Sequence, residues 1–180
     1  MSFQTRLAAL ISAVGADVKQ LRADIAALPS GGSGGSDPWT HQALTTSWTN
    51  STTTATDIFT GFTPVAGTRY IVDALLSVVT QAATTGVQTS LAGPTSGITR
   101  SAVKIVSSAS GTTDKIDHLA LNGFQAAAAG VTSISTLLSI QAIIDVSAAS
   151  TTRIRPVGRS EVAGSLVTVL PGSSVRWRTI

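Results

Sequence analysis

A chain of 180 residues with 12 basic and 9 acidic side chains, a formal net charge of +3 and no cysteine excludes a disulfide scaffold and thiolate metal sites. Its basic residues are few and scattered, without interleaved aromatics, which argues against nucleic acid as a partner. Charged residues make up 12% and hydrophobic residues 43%; with about half the usual share of charge, the chain suits a subunit that keeps much of its surface against neighbours.

The first element is a heptad helix. Gln4, Ile11, Val18 and Ile25 occupy one seam position and Leu7, Val14, Leu21 and Leu28 the other, an unbroken alternation that predicts an α-helical coiled coil over residues 1–28. Asp17 at g and Arg22 at the following e face each other across parallel, in-register helices. β-branched residues at a with Leu mainly at d favour two strands. The wider stripe made by Leu10 beside Ala8 and Gly15 favours three. An amphipathic helix folded back on its own domain shares this periodicity. Pro29 and the Ser/Gly run to Ser36 predict a flexible linker over residues 29–38, which a helix destined for its own core rarely needs. Arg6, Asp17, Lys19, Arg22 and Asp24 interrupt any signal-peptide core, and no apolar run is long enough to span a bilayer. Neither general secretion nor membrane insertion is therefore expected.

From Trp39 onward the period becomes two, and runs of Val, Ile and Thr are separated by Gly, Pro and Asn. A mainly β head over residues 39–180 follows, predicted as a jelly-roll-like β-sandwich of about nine strands. The clearest strand is Thr68 to Thr80, with Tyr70, Val72, Ala74, Leu76 and Val78 on one face. A second runs from Ile134 to Val146, with Leu138, Ile140, Ala142, Ile144 and Val146 on one face. Weaker strands are predicted at Thr40 to Thr49, Thr85 to Leu91, Arg100 to Ser108, Lys115 to Leu121, Thr151 to Val157, Ser165 to Leu170 and Ser174 to Ile180. Leu75, Val79, Leu137 and Ile143 fall on the second faces, where a solvated sheet would show polar residues. Contact with partner subunits and enclosure within one domain both give that pattern.

Catalysis needs convergent titratable groups, and the chain offers two histidines and few acids. Asp114 to His118 is the one local concentration, but strand alternation sends Asp117 and His118 to opposite faces, which defeats a base-orienter pair. No nucleophile elbow, phosphate loop, dinucleotide fingerprint or calcium loop appears. No catalytic residue, cofactor or metal is expected. Arg153 and Arg155 share one strand face, as do Arg176 and Arg178; if the two strands are neighbours, the four guanidinium groups form a patch. Such a patch binds acidic bacterial surface polysaccharide or meets carboxylates such as Asp73 and Asp145 at a subunit boundary.

The opening Phe3 to Ile11, followed by Gly15-Ala16-Asp17-Val18-Lys19, resembles the start of small virion proteins of tailed bacteriophages. Gly61-Phe62-Thr63-Pro64, Gly67-Thr68-Arg69-Tyr70, Gly86 near Leu91-Ala92-Gly93-Pro94-Thr95, and the segment Gly172 to Ile180 are similar to a domain of phage minor tail, fibre and head-appendage proteins. The resemblance implies a homotrimeric β head on a helical stalk, with no catalytic residues, displayed on the tail or capsid of a phage or gene-transfer particle. It implies other virion proteins as partners, and assembly in the bacterial cytoplasm before release on the particle. A host-attachment adhesin is the second expectation.

Overall fold

Thirteen residues of unbroken period-two patterning, Thr68–Thr80, form the longest strand among the described residues. The computed structural model describes residues 38–108, 114–125 and 136–180. The heptad seam, the linker up to residue 37 and Ile134 lie outside the described residues. The chain divides into two units between Pro38 and Trp39, and the second is mainly β and antiparallel.

Its described strands are β1 (Thr40–Ala43), β2 (Trp48–Asn50), β3 (Thr56–Asp57), β4 (Thr68–Thr80), β5 (Val87–Ala92), β6 (Ile98–Ser108), β7 (Asp114–Leu119), β8 (Thr136–Val146), β9 (Arg155–Ser160), β10 (Val167–Val169) and β11 (Ser174–Thr179). A large sheet of eight strands runs β1-β11-β4-β8-β6-β7, with β10 and β2 joined beside the end of β4; a small sheet of three runs β3-β9-β5. Every pairing is antiparallel. The pairings are also nested in sequence: β1 meets β11, β3 meets β9 and β4 meets β8.

β4 organises the large sheet because its two edges are used differently. One edge pairs with β8 from Thr68↔Val146 to Val78↔Thr136. The other is shared in series, by β11 over Tyr70 to Leu75 and by β10 over Val78 to Thr80. The segment predicted as one strand over Thr40 to Thr49 is broken for the same reason: β1 follows β11, β2 follows β10, and the Pro171-Gly172 turn separates those partners. Gly172 N donates to Leu44 O at 3.0 Å and Leu44 N to Ser173 O at 2.8 Å, so the two breaks lie across from each other.

The core joins both sheets. Val72, Leu76, Leu138, Ile140 and Ile144 from the large sheet and Leu91 from the small one are fully buried in one hydrophobic cluster with Ile154. Each buried aliphatic of this size contributes roughly 1.5–3 kcal/mol relative to exposure. Phe62 closes one end: its ring stacks on Trp177 at 5.0 Å and tilts against Tyr70 at 4.7 Å, while its backbone bridges Ile154. Tyr70 keeps its hydroxyl satisfied by accepting from Val65 N at 3.0 Å. Asn50 is buried with its side chain bonded, its Nδ2 donating to Thr54 O at 2.9 Å and to Gly158 O at 3.2 Å and its Oδ1 accepting from Thr52 N at 2.7 Å, which shapes the β2–β3 turn and ties it to β9.

Candidate functional site

The described titratable groups of the head are carried on strands, and their side-chain faces are set by register. In β7, His118 stands opposite Lys104 and Asp117 opposite Ile105, so alternation holds the imidazole and the carboxylate on different faces of the sheet. His41 stands opposite Arg176 at the far edge. Among the described residues no three His, Cys, Asp or Glu side chains converge as a metal site, and no helix is long and apolar enough to cross a membrane.

The four arginines expected to form one patch are divided. β9 belongs to the small sheet and β11 to the large one, so Arg153 and Arg155 are not brought beside Arg176 and Arg178 by neighbouring strands. Arg155 Nε lies 2.6 Å from Asp57 Oδ1, and its Nη1 donates to Arg153 O at 3.0 Å. Arg176 Nη2 donates to Asp73 Oδ2 at 3.2 Å, an ion pair within the chain. Arg176 and Arg178 stack over the Trp39 ring at 4.5 and 5.0 Å, where the ring quadrupole attracts both guanidinium groups. On the small sheet, Arg159 is tied down by Gln88 Oε1 at 2.8 Å and by the Phe124 ring at 4.2 Å.

The outer face of the large sheet is the most distinctive surface of the head. Leu75, Ile116, Leu137 and Ile143 are 50%, 51%, 52% and 45% exposed, although all lie within strands. Register sorts this face into rows. Arg178, Ile71, Ile143 and Ala102 form one. The next is polar: His41, Arg176, Asp73, Gln141, Lys104 and His118. Beyond it come Ser174, Leu75, Ser139, Val106 and Ile116. At the other end, Asp145 is held between Arg69 and Arg100, with Arg69 Nη2 donating to Asp145 Oδ2 at 2.9 Å. The hydrogen bond from Arg69 lowers the Asp145 pKa most; partial burial opposes it, and the charges of Arg69 and Arg100 reinforce it.

Where these rows cross β4, β8 and β6 the face is hollowed into an open groove of about 550 Å³. Its apolar side is Ile71, Ala102 and Ile143, and its polar side is Asp73, Lys104 and His118. Leu75, Leu137 and Ile143 were legible as second-face residues from strand alternation. Ile116 and Lys104 were not singled out as part of this surface, because only the pairing of β6 with both β7 and β8 brings them onto it. No family model, curated protein or solved structure matches the chain.

Proposed function

We propose that this chain is a non-enzymatic structural subunit of a phage or phage-like virion. In this reading the heptad helices of three copies form the stalk, and three jelly-roll heads project from it as a short fibre, spike or decoration on tail or capsid. The particle is assembled in the bacterial cytoplasm, and its other partners are virion proteins. The observation that carries the reading is the outer face of the large sheet, with Leu75, Ile116, Leu137 and Ile143 about half exposed. Large apolar side chains left half exposed within strands, in rows set on either side of a polar one, mark an interaction site. The nested pairing of β1 with β11, β3 with β9 and β4 with β8 supports the jelly roll, which is an antiparallel ribbon wrapped on itself.

Sedimentation or light scattering of the full chain tests it. The expected mass is three times the 18.2 kDa of one chain; a single-chain mass at working concentration rejects the assembly. Deleting residues 1–36 should weaken association, leaving only what the heads contribute.

The Trp39 ring under Arg176 and Arg178 favours a second reading, an adhesin for acidic polysaccharide on the host surface. Aromatic and guanidinium groups together suit a sugar ring bearing a carboxylate, and three copies multiply a weak affinity. Saturable cell binding that disappears in an Arg176→Ala, Arg178→Ala double variant would support this reading; binding unchanged in that variant would remove it.

A further inference from the structure

We infer that the outer face of the large sheet receives the β7 edge of a second copy of the same chain, with Lys104 of one copy paired to Asp117 of the next. The inference rests on the trimeric reading above and adds which surfaces meet.

Charge accounting among the described side chains points to this pair. Asp57, Asp73 and Asp145 are each held by an arginine of the same chain, and Glu161 accepts from Gly86 N at 3.1 Å. Asp117 makes no ion pair or hydrogen bond. On the outer face, Arg69, Arg100 and Arg176 have carboxylate partners and Arg178 has the Trp39 ring. Lys104, which lines the groove, has no acceptor. The two cannot neutralise each other within one chain: Lys104 stands opposite His118 and Asp117 opposite Ile105, on opposite sides of the sheet. They can meet only between chains.

The same charges exclude the face meeting its own copy. Among the described side chains of that face, Arg69, Arg100, Lys104, Arg176 and Arg178 outweigh Asp73 and Asp145, so two such faces stacked together would set excess positive charge against itself. Contact must then join different surfaces, the heterologous type whose repetition closes a ring. β7 is the matching surface. Among the described strands it ends the large sheet, it carries Asp117, and its Ile116 is 51% exposed, an apolar side chain suited to the Ile71, Ala102 and Ile143 side of the groove.

Cross-linking tests this directly, because the chain has no cysteine. Full-length Lys104→Cys and Asp117→Cys chains are co-expressed and treated with a flexible bis-maleimide, because a disulfide requires Cα atoms roughly 4.4–6.8 Å apart and a lysine–carboxylate ion pair spans more. A covalent dimer of the two variants is expected on a denaturing gel, with each variant alone remaining single. In parallel, Lys104→Asp and Asp117→Lys should each raise the concentration for half-dissociation about tenfold, with recovery when both are combined. If the mass stays trimeric but either the cross-link or the recovery is missing, the pairing is overturned and the face belongs to another occupant, while the trimer stands. A single-chain mass overturns both.

Discussion

Gly61 is the residue at which backbone conformation and packing are both committed. Its φ of +67° is disfavoured for other residues, and a Cβ there would meet Ile154 O at 2.1 Å and Arg155 Cβ at 2.5 Å. Gly67 has a similar φ of +74° with open space around it. Ala at position 67 should therefore cost only the left-handed backbone, roughly 1–2 kcal/mol, whereas Gly61→Ala adds a clash with the Phe62–Ile154 bridge and should cost about 3 kcal/mol or more. Urea denaturation of both variants measures the difference; equal losses would disprove the close approach. Asp145 gives a residue-scale pH prediction. Its folded pKa is lowered by Arg69 first, so the folded state binds fewer protons there than the unfolded chain. The resulting stability is complete above the ordinary carboxylate range and is lost as pH falls through the folded value, in the region below about pH 4. Comparison of the chain with Asp145→Asn by denaturation from pH 7 downward should show a gap that closes at the acid end.

At the scale of elements, β4 and β8 are paired along nearly their whole lengths and flanked on their other edges by β11, β10 and β6. Their central amides open only when the sheet opens. β1 and β7 lie at the ends of the strand path, and hydrogen exchange there should be at least about tenfold faster than at Val72, Leu76 or Ile140. Uniform protection across the large sheet would contradict this hierarchy. The same two inner strands were the most legible in the sequence, since the buried sets Tyr70 to Val78 and Leu138 to Val146 follow the predicted alternation. Short strands were harder. β3 has two residues, too few for a period, and β9 extends to Ser160 through Gly158, which reads locally as a break. Gly158 belongs in the strand because Trp48 and Ile58 pack where its side chain would be: a Cβ would lie 2.9 Å from Trp48 Cη2 and 3.0 Å from Ile58 Cδ1.

For the whole molecule, the proposed trimer rests on the low charge and the heptad pattern of the sequence. In the proposed trimer Val18 is a buried seam residue, so Val18→Asp places a charge in that seam and should raise the concentration for half-dissociation at least about tenfold. Sedimentation equilibrium measures it, and an unchanged trimer would reject the stalk. What the sequence by itself determined is which side chains share a strand face, because the two-residue period of an extended chain is a local property. That is enough to separate the core of β4 and β8 from the exposed Leu75, Leu137 and Ile143. Which faces and edges become neighbours was decided only by the tertiary structure. Arg155 and Arg176 carry the same local signal, yet pairing with distant strands sends one to the small sheet beside Asp57 and the other to the large sheet beside Asp73. Adjacency depends on long-range strand pairing, and no local pattern of charge encodes it.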